Sequence, residues 1–187
     1  MSILKMRALI LISCVLCPLL AHAKPKEVKH MSFSITSPAF GHKQTIPGEH
    51  TCDNADTSPQ LILENLPAKA VSVTIIMDDP DAPPGTWIHW TLYNWPTTTT
   101  ILNAGLAKDE TLENGAKQGA VWGVDRFTRV GYWGPCPPPG KPHRYSFRAY
   151  ALDTMLTVAA KPDKTALLTA MKGHILAQTE LIGMYGR

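Results

Sequence analysis

The chain has 187 residues, 44% hydrophobic and 18% charged, which excludes intrinsic disorder and leaves room for one packed domain plus a targeting segment. Its 13 glycines and 16 prolines argue against a helix bundle and for short strands joined by tight connections. The formal charge of +3 includes Lys5 and Arg7; without them 16 basic residues face 15 acidic ones, too even a balance for a nucleic-acid-binding surface.

Residues 1–7 carry two cations and no acid, an apolar run follows over residues 8–20, and Ala21-His22-Ala23 closes it. This is the layout of a secretory signal peptide: a basic region, an apolar core, then small residues at minus three and minus one for the peptidase. The expectation is a signal peptide over residues 1–23 and a single exported domain over residues 24–187, periplasmic or secreted. A transmembrane anchor would need about 20 apolar residues, and this run is shorter and broken by Pro18. Lipid attachment at Cys14, after Leu11-Ile12-Ser13, is a weaker alternative because its apolar core would be too short. Removing the leader takes Cys14 and Cys17 with it and leaves Cys52 and Cys136. An even pair in an oxidising compartment points to a disulfide, worth ~4 kcal/mol in the chain-entropy picture, against the alternative of two separately buried thiols.

Residues 32–36 alternate as a short strand with Phe33 and Ile35 on one face, and residues 60–63 form a second short candidate. Residues 71–77 hold a β-branched run that reads as a central strand, ending abruptly at Asp78-Asp79-Pro80-Asp81-Ala82-Pro83-Pro84-Gly85. Residues 89–95 alternate again. Strict period two puts His89, Thr91, Tyr93 and Trp95 on one face and Trp90, Leu92 and Asn94 on the other. From residue 97 to 133 the chain is Gly-rich and irregular, more like a decorated loop serving a site than an interdomain linker. After Gly134-Pro135-Cys136-Pro137-Pro138-Pro139-Gly140, residues 144–152 alternate with Tyr145, Phe147, Ala149 and Ala151 together. Asp163 is a candidate helix cap, Leu167, Leu168, Met171, Ile175 and Leu176 follow helical spacing, and Gly173 is the break expected by residue type. Residues 179–185 are expected to close the chain as a strand.

Three polar clusters thus fall at strand ends: Asp78, Asp79 and Asp81; then His89 after Trp87; then His143-Arg144-Tyr145 beyond the proline loop. Each alone fits ordinary turn or packing chemistry. Their order changes that. Asp79-Pro80-Asp81-Ala82-Pro83, Trp87-Ile88-His89-Trp90, Gly134-Pro135-Cys136-Pro137-Pro138 and His143-Arg144-Tyr145-Ser146-Phe147 closely resemble the successive motifs of the phosphatidylethanolamine-binding protein family. The flanks Thr51-Cys52-Asp53, Ser58-Pro59-Gln60-Leu61 and Tyr150-Ala151-Leu152-Asp153 resemble its bacterial branch, related to Raf kinase inhibitor protein.

That resemblance implies a mainly β protein, an antiparallel Greek-key β-sandwich with a few short helices including one near the C-terminus, and one small anion pocket at the sheet ends. Carried over by position, the pocket would use Asp79, His89 and His143, with Tyr145 and the Pro137 loop as wall and Asp81 at the rim or bracing the loop. It also implies a cis proline in this turn, with Ala82-Pro83 as the candidate bond. Imidazole N–H groups and loop amides would hold a phosphate-like headgroup, and a carboxylate accepting from an imidazole would fix its tautomer and favour its charged form. One departure stands out: Gln118-Gly119 is followed by Gly123-Val124-Asp125-Arg126-Phe127, where bacterial relatives carry an Asn-Asp-Phe step. Arg126 and Arg129 would add positive potential at the mouth, or serve as solvated loop residues.

The function expected first is an exported, non-catalytic binding protein for a phosphate or phosphoethanolamine-like ligand, with no cofactor. A second is an inhibitor of a protease or signalling kinase through protein contact. A third is a hydrolase, using two histidines and a carboxylate as a metal site or an acid–base pair. HExxH and GxSxG spacings are absent from the sequence, and a disulfide would disarm Cys136. His42, His50 and His174 are expected at the surface or in caps, and Trp90, Trp95, Trp122 and Trp133 in packing. The apolar stripe near the end is expected to face the core rather than a membrane.

Overall fold

The computed structural model describes residues 32–121 and 129–187. The signal-peptide expectation, Cys14, Cys17, Trp122 and Arg126 lie outside the described residues.

Among the described residues nine strands form two sheets: β1 (Ser34–Thr36), β2 (Gln44–Thr45), β3 (Leu61–Glu64), β4 (Ser72–Asp79), β5 (Trp87–Pro96), β6 (Ile101–Leu102), β7 (Lys117–Gln118), β8 (His143–Leu152) and β9 (Ile175–Tyr185). The order is β1-β3-β6 in the small sheet and β2-β9-β8-β4-β5-β7 in the large one. Pairing is antiparallel except between β2 and β9, which run parallel at Gln44↔Gly183 and Thr45↔Met184. A single α-helix, α1 (Lys164–Ala170), and one 3-10 turn (Gly48–His50) complete the elements of the described residues.

The apolar alternation read from the sequence places the core. Val73, Ile75 and Met77 of β4 and Phe147 and Ala149 of β8 face Ile35, Leu61, Leu63 and Leu102 of the small sheet. Burying such side chains contributes about 1.5–3 kcal/mol each relative to exposure. On the opposite face Ile76, Tyr93, Tyr150 and Leu152 pack beneath α1 through Leu167 and Met171. Asp163 caps that helix, its side chain accepting from Ala166 N at 2.7 Å. The helix stops at Ala170, and Gly173 turns the chain at φ 82°. Ile175 and Leu176 therefore begin β9 instead of continuing the helix; helical spacing over so few residues does not outweigh the β8 edge waiting for a partner.

All peptide bonds among the described residues are trans, so the cis bond expected at Ala82-Pro83 is not found. The chain reverses there through the hydrogen bond from Gly85 N to Ala82 O (2.9 Å), with Gly85 at φ 105°. This turn is compatible with the trans form, which is favoured for most X–Pro bonds.

Cys52 and Cys136 form a disulfide across a sequence separation of 84 residues, with Cα atoms 5.4 Å apart. Reducing it removes the constraint on a long loop of the unfolded chain. Urea unfolding with and without reductant is expected to show the reduced protein less stable by about 4 kcal/mol, with the transition moving to lower urea.

Candidate functional site

β4 lies between β5 and β8, so side chains at the corresponding ends of three adjacent strands meet on the face that elsewhere builds the inter-sheet core. Beyond Met77 that face continues as Asp79, and along β8 it continues from Phe147 through Tyr145 to His143. Here the core opens into a cleft of about 450 Å³. Asp79, His89, His143 and Tyr145 line it, with Pro83, Pro84, Trp87, Trp133, Pro137 and Pro138 adding an apolar wall. The residues expected from the sequence to converge do so. Asp78 does not join them: period two turns it to the other face, where Arg148 (2.7 Å) and Lys164 hold its buried carboxylate.

His89 reaches the cleft through a break in alternation. Met77 pairs with Trp90 and Asp78 with Ile88, leaving His89 as the extra residue of a β-bulge. Both His89 and Trp90 therefore serve the core side, whereas regular alternation would separate them. A second bulge follows, with Val73 opposite Trp95 and Ile75 opposite Leu92, and Asn94 takes φ 58°. It returns Trp95 to the same core as Trp90 and Leu92, so the expected grouping of His89, Thr91, Tyr93 and Trp95 is corrected by these two insertions.

The polar floor is held by specific hydrogen bonds. Asp79 Oδ2 accepts from His143 Nδ1 at 2.7 Å, and Asp79 Oδ1 accepts from Asp81 N at 2.8 Å. His89 Nδ1 donates to the Trp133 carbonyl at 2.6 Å. Because a carbonyl and a carboxylate only accept, both imidazoles carry a hydrogen on Nδ1, and Nε2 is the nitrogen left for a ligand. His89 sits edge-on to the Tyr145 ring, with centroids 5.2 Å apart. The Tyr145 hydroxyl is fully buried, with the Asp79 carboxylate and the Cys136 backbone as its polar neighbours. Burial, and then the neighbouring Asp79 carboxylate, push its pKa up, so it stays a donor.

Asp81 lies outside the floor and braces it. Its carboxylate accepts from Arg144 N, Nε and Nη2 at 2.9, 2.9 and 2.6 Å, fastening the β4–β5 turn to the start of β8. Those guanidinium bonds hold its pKa down to about 2.

Sequence reasoning missed Asp56. Its Oδ1 accepts from Gly134 N at 2.6 Å and its Oδ2 pairs with Lys108 at 2.7 Å, and it lines the cleft. The available signal was the cysteine pair, which brings the segment around residue 52 against the proline loop. Gly134 is required here, since a Cβ would lie 2.2 Å from the His50 carbonyl oxygen. Trp133, assigned to packing from the sequence, instead stands at the cleft with Lys108 Nζ 3.9 Å and Arg129 Cζ 4.2 Å from its ring centroid. Arg129 itself lines the cleft. His50 is buried, bonded to the Thr57 carbonyl at 2.9 Å, contrary to the surface or capping role expected for it; the 3-10 turn at Gly48–His50 folds it inward. No group of three or more His, Cys, Asp or Glu among the described residues is arranged to hold a metal ion.

A family model described as phosphatidylethanolamine-binding protein matches residues 36–186. The chain belongs to the phosphatidylethanolamine-binding protein family. It is 42% identical over 149 residues to a UPF0098 protein of Methanothermobacter thermautotrophicus, covering 80% of this chain and 95% of that one. A UPF0098 protein of Chlamydia trachomatis is 40% identical, covering 81% and 97%. Among solved structures, a phosphatidylethanolamine-binding protein homologue from Chlamydia trachomatis superposes with a TM-score of 0.74 at 37% identity, covering 83% of this chain and 98% of that one. YbcL of E. coli, described as a member of the mammalian family, gives 0.73 at 29% identity, covering 84% and 99%.

The burial of His89 is expected to make the fold sensitive to acid. Burial lowers its pKa from 6.5, with the Trp133 carbonyl and Asp79 opposing, so the folded state binds its proton less readily than the unfolded one. Its contribution to stability is complete above about pH 6.5 and declines as pH falls below that value, where the unfolded histidine charges first. Denaturant midpoints between pH 7.5 and 5 are expected to fall in the wild type and to fall less in His89→Gln.

Proposed function

We propose that this protein is an exported, non-catalytic binding protein that takes a small anionic ligand, a phosphate-like or phospholipid headgroup, into the cleft bounded by Asp79, His89, His143 and Tyr145. The observation that carries the proposal is the convergence of two imidazoles from β5 and β8 on one cleft, each with Nδ1 already committed. Protonated at Nε2, each is a charge-assisted donor to an oxyanion. The Tyr145 hydroxyl, buried beside Asp79 and kept protonated, adds a neutral polar group to the same floor. Asp79 is the orienter that holds His143, and Asp81 keeps the turn carrying Asp79 in place. The cleft volume falls in the range of small-molecule sites, and its proline and tryptophan wall suits an organic substituent on the anion.

Because burial depresses the His89 pKa, an anion that stabilises its imidazolium must draw a proton from solution on binding. Affinity therefore rises as pH falls. Sulfate is a useful probe because its charge is constant across this range. Calorimetry from pH 8 to 5 is expected to show sulfate and phosphoethanolamine binding more tightly by about tenfold at the acid end for sulfate, with net proton uptake near pH 7. His143→Ala should weaken both by about tenfold or more. Absence of binding by either probe across this range would remove the proposal.

Export rests on the layout of residues 1–23. Intact mass of the protein recovered from the periplasm or medium is expected to correspond to a chain beginning at Lys24, and retention of the full chain in the cytoplasm would refute it.

A further inference from the structure

We infer that Arg187 is a positioning residue: it acts beside the Cys52–Cys136 disulfide as a second, non-covalent tether that holds the Pro137 wall of the cleft, an inference that builds on the ligand-binding role proposed above. The disulfide joins the segment around residue 52 to the proline loop. Arg187 joins the same two segments by another route. Its Nε pairs with Asp53 Oδ1 at 3.2 Å, its Nη1 donates to the Pro137 carbonyl at 3.2 Å, and its own carbonyl accepts from Gly140 N at 3.2 Å. Asp53 is fixed in turn by the Tyr185 hydroxyl, which donates to Oδ2 at 2.6 Å at the end of β9. The loop thus rests on the sheet through the β9 end as well as on the sulfur bridge.

The guanidinium is suited to this task because its planar fork satisfies a carboxylate and a carbonyl at once, which a lysine ammonium on a flexible stem does less well. The Arg187 and Asp53 side chains are 40% and 33% exposed, and ion pairs of that exposure are individually weak. Alone, then, loss of the Arg187 tether loosens the loop locally but changes ligand affinity little while the covalent one is intact. Two restraints on one loop are coupled, so loss of the second is felt most when the first is gone. The loop in question carries Pro137 and Pro138, which line the cleft opposite the polar floor, whereas Arg187 itself does not line it.

The test combines Arg187→Ala and Arg187→Lys with the oxidised protein and with the same proteins kept in reductant. Two readouts are needed: hydrogen exchange of the amides at residues 136 and 140, and affinity for phosphoethanolamine at pH 6. In oxidised protein Arg187→Ala is expected to speed exchange in the loop and to weaken binding by about threefold or less; in reduced protein the affinity loss should reach about tenfold or more, with Arg187→Lys intermediate. Unchanged loop exchange in oxidised Arg187→Ala, or equal affinity losses in both redox states, would overturn the inference. Failure of the wild type to bind phosphoethanolamine would instead overturn the binding role, while the exchange measurement would still decide whether Arg187 tethers the loop.

Discussion

The hydrogen bond between His143 and Asp79 is where strand pairing becomes site chemistry. β4 is hydrogen-bonded to β5 on one side and β8 on the other, so its last residue stands between the ends of both neighbours. Asp79 has only 4% of its side chain exposed, and a carboxylate so placed must find donors. It finds the His143 ring and the Asp81 amide, one from the neighbouring strand and one from its own turn. A single buried acid thereby sets the tautomer of an imidazole and the path of the loop that closes the cleft. Arg144, adjacent to His143, completes the arrangement by gripping Asp81, so the turn is held from both sides of the same strand end.

The other half of the site depends on an irregularity. His89 lies on the cleft side because β5 carries one residue more than β4 at that point. Bulges bend and twist a strand locally and re-aim the inserted side chain. Here the insertion lets His89 face Tyr145 and the Trp133 carbonyl while Trp90 still fills the core. The polar floor is thus continuous with a rigid apolar core, and its side chains stand on strands. Apart from Trp87 at the start of β5, the apolar wall is built from loops, and loops need tethers: the disulfide, the Asp56 carboxylate on Gly134 N, the Cys52 amide on the Pro135 carbonyl and the Arg187 contacts converge on the proline segment.

Charge is distributed with the same division of labour. Asp78 and Asp79 are adjacent in the chain yet serve opposite faces of the sheet. One is neutralised by Arg148 and Lys164 under α1, the other works in the cleft. Asp56 is likewise tied, to Lys108 and a backbone amide. Acidic groups around the cleft are thus each engaged by named donors, which would limit their repulsion of the anion proposed as ligand. Arg129, stacked on Trp133 at the cleft, adds positive charge on the same side.

Much of this was legible in the chain alone. The β-branched run before Asp79, the alternation of residues 144–152 and the Asp163 cap are local signals, and each follows from side-chain geometry acting over a few residues. The order of the motifs around Asp79, His89, Pro137 and His143 was enough to gather the residues of the cleft, and Cys52 and Cys136 were enough to pair. What local periodicity could not yield were the bulges in β5, the separation of Asp78 from Asp79, the burial of His50, and the conversion of Ile175 and Leu176 from helix to strand. Nor did it yield Asp56 or Arg187, whose roles exist only when segments far apart in the chain touch. The physical reason is the same in each case: composition and spacing fix what a residue can bond to, whereas register, insertion and the backbone groups left unpaired at a sheet end decide which partner it meets.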